Sequence, residues 1–318
     1  MLNPNDKINY IKEHIEFINK YPNEVWSKIF ELEELFKIFF NINNASACSS
    51  WSTWLLLALK ALWIKYWDEV ILNCNYFISD PNSVLLAWAK PIYIDLWTTI
   101  NSLSLDDIKK KVTNKTKAII IIHLDWYPIE NTIEIIKYCK ESNILVIEDC
   151  CQSIWAKIWN NYIWTLWDIW IFSFDTNKMV KWWEWWMIIT KDKKKINIVN
   201  LYKNNYKENW DFINLWFNYR YNDFSAIYAK YSFQNLLTYI EKRKNEILEI
   251  SEKTNYKIYK GRWITPVYYN LIIEKDNSDL LNKKDYLDLN LNNYPNFKFL
   301  YSKFKIISLS NNIYSNIK

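Results

Sequence analysis

Residues Phe172–Trp186 read FSFDTNKMVKWWEWW. An apolar run, Asp168–Phe174, leads into this segment and another, Met187–Thr190, follows it, so Lys178 and its neighbours form a loop between two strands. Trp182, Trp183, Trp185 and Trp186 are out of place there, because loops of this kind favour glycine and small polar residues. With glycine at those four positions the segment becomes FSFDTNKMVKGGEGG, whose backbone can approach a bound group closely. Ser173 and Lys178 are then its chemistry-bearing side chains.

The whole chain repeats the anomaly. Its 318 residues contain 1 Gly and 20 Trp, whereas ordinary proteins carry about 7% glycine. A chain of this length turns with difficulty without glycine, since φ > 0 is costly for any residue with a Cβ. The tryptophans stand at turn positions: Trp67 before Asp68 at a strand entry, Trp88 between two alanines ahead of Lys90-Pro91, and Trp126 two residues before Pro128. Counted as glycine, they bring the total to 21 of 318 residues, about 6.6%, which is ordinary. The expectation is that UGA specifies glycine in the source gene and that the sequence as written reads it as tryptophan. A truly Trp-rich protein that binds ligands on aromatic platforms is the alternative, and it leaves the missing glycine unexplained.

The length is about two domains' worth and excludes a peptide hormone or a small disulfide scaffold. A net charge of +5, spread without a basic block, does not suggest a nucleic-acid partner. The opening MLNPNDKINY has no apolar core, and the longest aliphatic run, Ala118–Ile122, falls far below the roughly 20 residues that span a bilayer. Cys48, Cys74, Cys139, Cys150 and Cys151 show no CxxC spacing, and two are adjacent, a poor geometry for disulfides. These features predict a cytoplasmic chain with no membrane partner and no metal site.

Between residues 53 and 202, short β-branched runs alternate with helical stretches, the signature of an α/β fold. Strands are predicted at Glu69–Leu72, Pro91–Asp95, Ala118–Leu124, Ile144–Glu148, Asp168–Phe174 and Met187–Thr190. Helices are predicted near Thr53–Leu62, Asp80–Leu86, Ser104–Val112, Ile129–Glu141 and Lys191–Tyr202. Apolar strands joined by crossovers imply a mainly parallel sheet covered on both faces. One long amphipathic helix from Asp223 to about Tyr256 then leads to a smaller unit with a strand at Ile264–Ile273.

Two further segments carry chemistry. Cys48-Ser49-Ser50-Trp51-Ser52-Thr53-Trp54 is a Ser/Thr turn opening an apolar helix, a geometry that binds phosphate through unpaired backbone N–H groups and the positive end of the helix dipole. An ordinary helix cap reads the same way. Ile147-Glu148-Asp149-Cys150-Cys151-Gln152 places Asp149 at the C-terminal end of a buried strand, where open α/β sheets present ligand-binding groups.

With these segments in order, the chain resembles the pyridoxal-phosphate (PLP) sugar aminotransferases of the DegT/DnrJ type from about Ile29 to the C-terminus. The family's sequence of motifs is SSGT before an apolar helix, GDEV, GAKP, EDxAQ, GDxxxFSFxxxK…GEGG and GxNYR. It recurs at Ala47–Trp54, Trp67–Val70, Ala87–Asp95, Val146–Ser153, Trp167–Thr190 and Trp216–Asp223, with Trp at each glycine. Cys150 and Cys151 depart from it, standing where alanines are usual. Asp175-Thr176 also replaces a more common pair.

The resemblance implies the fold-type-I architecture: a large PLP-binding domain over residues 1–235, with a mainly parallel seven-stranded sheet flanked by helices, and a small C-terminal α/β domain over 236–318. A final helix is expected beyond Ser310, so the C-terminus reads as truncated. By the same resemblance Lys178 bonds the cofactor, Asp149 pairs with its pyridine nitrogen and Gln152 lies beside the ring hydroxyl. Phe77 stacks on the ring, and Ser52, Thr53 and Ser173 cradle the phosphate. Asn218 reaches the phosphate of the partner subunit in a homodimer with a shared active site, and Arg220 is a weaker candidate for substrate recognition. The implied reaction moves an amino group, from glutamate, to a keto-sugar nucleotide for cell-surface polysaccharide. A dehydratase branch exists in the family, but it carries histidine where this chain has Lys178. A catalytically silent relative is the other alternative.

Overall fold

The computed structural model describes residues 27–49, 51–124, 127–159, 161–163, 168–174, 186–205, 207–208, 211–212, 217–254, 264–265, 270–274 and 304–308, with positions 12 and 16. In chain order the elements are α1 (Ser27–Phe40), β1 (Asn44–Cys48), α2 (Trp51–Ala61), β2 (Glu69–Asn73), α3 (Ser79–Leu86), β3 (Lys90–Ile94), α4 (Leu105–Lys111) and β4 (Thr116–Ile122). There follow α5 (Thr132–Glu141), β5 (Leu145–Asp149), β6 (Lys157–Ile158), β7 (Asn161–Tyr162), β8 (Ile169–Ser173), β9 (Trp186–Thr190) and α6 (Lys193–Lys203). After the short β10 (Lys207–Glu208) and β11 (Asp211–Phe212) come α7 (Asp223–Gln234), α8 (Leu236–Thr254), β12 (Ile264–Thr265), β13 (Asn270–Glu274) and β14 (Phe304–Ser308).

Seven strands form one sheet in the order β1-β9-β8-β5-β4-β2-β3. From β3 to β8 the neighbours are parallel, and β9 runs antiparallel to both β8 and β1. The expected mainly parallel seven-stranded sheet is therefore present. Its strands are apolar nearly throughout because helices cover both faces. On one face Val70, Leu72, Ile120, Ile147, Ile171 and Ile188 pack with Leu55, Leu59 and Val84 of α2 and α3, and with Ile196 and Val199 of α6. The alternate residues of β2, β3, β4 and β5 meet Ile108 of α4 and Ile135 and Ile136 of α5. On β8 and β9, Trp170, Phe172, Met187 and Ile189 of that second face meet α1 and α7.

Several boundaries differ from the sequence reading. The predicted Asp223–Tyr256 helix is two helices, α7 and α8, parted at Asn235, whose N–H bonds back to the carbonyl of Ser232 at 3.2 Å while its side-chain amide donates to Tyr231 O. The predicted Ile264–Ile273 strand is two, and β12 pairs with β6 of the hairpin beside the large sheet, whereas β13 pairs with β14. The strand predicted to Leu124 ends at Ile122, and α5 starts at Thr132, three residues later than expected. The helix break at Asn235 coincides in sequence with the expected 235/236 boundary and does not by itself divide the chain into domains; beyond Thr254 only β12, β13 and β14 are described. Among the described residues no helix is long and apolar enough to cross a membrane.

Candidate active site

Alternation along the strands decides which side chains meet. Asp149 is in register with Ile171 across β5 and β8, so Asp149 and Ser173 lie on the same sheet face as Ile147, Ile169 and Ile171. That is the face covered by α2, whose N-terminus carries Ser52 and Thr53. Both side chains sit at the C-terminal ends of their strands, where a parallel sheet opens to ligands.

Asp149 is buried, with 5% of its surface accessible. Its Oδ1 accepts the N–H of Cys151 at 2.8 Å. Ser173 is 3% accessible and its hydroxyl has no hydrogen-bond partner among the described residues. A buried hydroxyl with no partner is costly unless a ligand completes it. Donors for phosphate at Ser173 and the α2 N-terminus, and an acceptor for a protonated ring nitrogen at Asp149, are the set that PLP requires. The residues present therefore fit that cofactor.

Phe77 is partly buried in the loop after β2, its N–H donating to Asp80 Oδ2 at 3.0 Å. Gln152 lies in the turn that follows Asp149, partly buried. Thr53 is partly buried in the first turn of α2, and the backbone of Ser52 is in the same turn. Lys178 lies outside the described residues; Phe174, four positions before it, is the last described residue of that strand exit.

Asn218 and Arg220 are carried on a strip that runs along the end of β1. Ser49 N–H donates to Tyr219 O at 3.2 Å, and Tyr219 N–H donates to Lys203 O at 2.9 Å. Asn218 is exposed, and its Oδ1 accepts the N–H of Arg220 at 3.1 Å. The guanidinium of Arg220 donates from Nη1 to Asn204 Oδ1. The structure thus brings Asp149, Ser173 and the α2 N-terminus together and sets Asn218 and Arg220 at the edge of that opening.

The opposite face holds a pair that sequence reading missed. His123, immediately after β4, is fully buried and faces Glu148, its Nε2 lying 3.3 Å from Glu148 Oε1. Because His123 Nδ1 accepts the N–H of Ile129 at 2.9 Å, the ring proton belongs on Nε2 and is donated to Glu148. Glu148 Oε2 accepts Trp170 Nε1–H at 2.6 Å. Burial raises the Glu148 pKa, and the bonds from His123 and Trp170 oppose the rise. His123 also ties the strand ends together, donating its N–H to Asp149 O at 3.0 Å and accepting Ser153 Oγ–H at 3.0 Å through its carbonyl. A histidine directly after a run of four isoleucines was the available sequence signal.

All five cysteines are buried thiols. Burial pushes Cys48 and Cys139 up to about 12 and Cys74 and Cys150 well above the ordinary range. Cys150, next to Asp149, is packing rather than a nucleophile.

The profile of the DegT/DnrJ/EryC1/StrS aminotransferase family matches residues 11–254. The chain belongs to this family. Its members depend on PLP, in keeping with the donor and acceptor set at Asp149 and Ser173. GDP-perosamine synthase of Escherichia coli O157:H7 is 30% identical over 247 residues, which are 75% of this chain and 67% of that enzyme. Three further curated relatives match over less than half of their own length. A DegT DnrJ EryC1 StrS aminotransferase from Brucella abortus superposes with a TM-score of 0.79 at 18% identity, covering 94% of this chain and 90% of that one. A Bacillus subtilis protein solved with bound cofactor PMP superposes with a TM-score of 0.67 at 21% identity, covering 84% and 63%. These structures share the fold-type-I architecture.

Proposed function

We propose that the chain transfers an amino group, taken from glutamate, to the carbonyl of a keto-sugar nucleotide, and that the amino-sugar nucleotide formed serves cell-surface polysaccharide synthesis. The observation that carries this reading is the meeting of Asp149 and Ser173 on one sheet face, beside the N-terminus of α2. The name of the Escherichia coli relative supports a nucleotide-linked sugar as substrate.

PLP, when bound, supplies an electron sink for charge that develops on the substrate carbon. The chain's own residues do the rest. Oδ2 of Asp149 holds a proton on the ring nitrogen, in a buried setting where that interaction is little screened. Ser173, Ser52, Thr53 and the first N–H groups of α2 hold the phosphate. Gln152 would stand beside the ring hydroxyl and Phe77 would pack against the ring. Lys178 bonds the cofactor and then serves as the acid and base that moves a proton at the substrate carbon. Arg220 stands at the rim as a candidate for the substrate's negative groups.

Borohydride fixation followed by peptide mapping is expected to place the cofactor on Lys178; finding it on Lys181 would mean the loop has been misread. Asp149→Asn is expected to retain cofactor while losing on the order of 10²–10³ in turnover, because an amide cannot stabilise a protonated ring nitrogen. Unchanged turnover would reduce Asp149 to a turn-forming residue.

A further inference from the structure

We propose that the native residue at Trp63, Trp67, Trp88, Trp155 and Trp159 is glycine, and that one decoding rule, UGA read as glycine, extends this to all 20 tryptophans. The inference stands on backbone geometry and does not depend on the chemistry proposed above.

Eight described residues other than glycine have left-handed backbones: Asn41, Trp63, Trp67, Trp88, Asn143, Trp155, Trp159 and Asn205. Three are asparagine, the residue type that tolerates this region best after glycine. The other five are tryptophan, which has no such tolerance.

Each of the five sits where the hydrogen-bond pattern requires a left-handed residue. Helix α2 ends with Ile64 N–H bonded to Leu59 O at 3.1 Å and Trp63 N–H to Lys60 O at 3.0 Å, and α3 ends with Ala89 N–H to Val84 O at 3.1 Å and Trp88 N–H to Leu85 O at 2.9 Å. These are Schellman ends, with φ of 59° at Trp63 and 64° at Trp88 in the position that glycine normally fills. Helices α1 and α5 end in the same way, and there the position holds Asn41 and Asn143.

Trp67 and Trp155 are third in four-residue turns closed by Asp68 N–H to Lys65 O and by Ala156 N–H to Ser153 O, with φ of 64° and 74°. Trp159, φ 50°, directly follows β6 where the chain turns back to pair with β7, a position at which a left-handed residue is favoured. The turn at Trp67 also approaches that at Trp88 closely, Trp67 N–H donating to Trp88 O at 3.0 Å.

Four of the five indoles add little packing, whereas Trp155 is partly buried against Phe39 and Tyr162, with ring centroids 4.8 and 4.5 Å away. Trp63, Trp67, Trp88 and Trp159 are 65%, 58%, 70% and 55% exposed. At the other extreme, Trp54 is fully buried and its indole N–H has no partner among the described residues. Trp63, Tyr66 and Trp88 border a cleft of about 520 Å³ that, with the indoles taken literally, resembles an aromatic sugar platform. A platform needs rings but gives no reason for left-handed backbones beneath them, whereas glycine accounts for the backbones and removes the cleft's two indoles.

The deciding experiment is peptide mass spectrometry on the protein purified from its source cells. Glycine masses at Trp63, Trp67, Trp88, Trp155 and Trp159 are expected; a tryptophan mass at any of the five overturns the proposal. A second measurement uses two recombinant chains, one as written and one carrying glycine at these five positions. The five-glycine chain is expected to unfold at a higher temperature, or to fold where the other does not. A lower or equal midpoint overturns the proposal, because removing five working tryptophans from a real Trp-rich protein costs packing.

Discussion

Glu148 and Asp149 adjoin in sequence and point to opposite sheet faces, so Asp149 lies on the α2 face at the C-terminal end of its strand and Glu148 is sealed against His123 and Trp170. Burial raises the Glu148 pKa above its ordinary 4.5, with His123 and Trp170 acting against it. A carboxyl whose folded pKa is raised contributes stability that is complete below its unfolded pKa and is lost as pH rises through the folded value. The expected outcome is that the parent chain loses stability relative to Glu148→Gln as pH rises above the ordinary carboxyl value of 4.5, read from urea unfolding at a series of pH values. A difference that does not change with pH would show that Glu148 is ionised in the folded chain as readily as in the unfolded one. With glycine at 170 the His123 bond remains, so the sign of the effect is the same.

Element ends in this chain are held by backbone devices that a sequence announces only when the right residue is present. Ser104, Asp192 and Asn222 cap α4, α6 and α7 by accepting the N–H groups of Asp107, Lys194 and Ser225. Asn143, φ 55°, ends α5 with Ile144 N–H bonded to Cys139 O at 2.8 Å. Asn143→Ala is expected to cost about 1 kcal/mol, while Asn143→Gly costs nothing or stabilises. The denaturant midpoint with an unchanged slope checks this, and an Ala variant as stable as the parent would show that the turn adopts another geometry. The elements that sequence reading missed have a common cause. β1 reads NASAC, with no β-branched residue, and gains its place by pairing with β9. α1 lies at the edge of the region with strong motifs, and its Leu32, Phe36 and Phe40 are explained by packing against Phe172, Phe174 and Phe233. The Asn235 break lies inside a continuous helical pattern and is set by local bonding that periodicity does not show.

At the scale of the molecule, β1, α6 and the 217–221 strip are locked together. Lys203 donates to Ser46 Oγ at 2.6 Å and pairs with Glu33 at 3.3 Å, while Glu33 Oε1 accepts the N–H of Ala47 at 2.8 Å. This partly buried cluster holds the strip that presents Asn218 outward beside the opening. The family resemblance implies a homodimer in which Asn218 completes the phosphate site of the partner subunit. PLP affinity in the parent is therefore expected to rise as the chain dimerises. Asn218→Ala is expected to lower the affinity of the dimer by about 10-fold or more, the size of one lost hydrogen bond to a charged group. Absorbance titration across protein concentrations, paired with sedimentation, checks both. Equal affinity in monomer and dimer would make the site complete within one chain.

By itself the sequence determined the α/β class, the order of motifs and the identity of the side chains at the strand ends. Continuous apolar runs and helical periodicity follow from local physics, and Ser173 and Asp149 each sit at the end of such a run. It also carried the sign of the glycine deficit, which is a matter of counting. Tertiary structure alone decided which of these residues meet. Register across β5 and β8 puts Asp149 and Ser173 on the α2 face and turns Glu148 toward His123, and no single strand contains that information. The left-handed backbones at Trp63 and Trp88 are local, set by the hydrogen bonds that close each helix end, and a sequence announces them only where glycine is written.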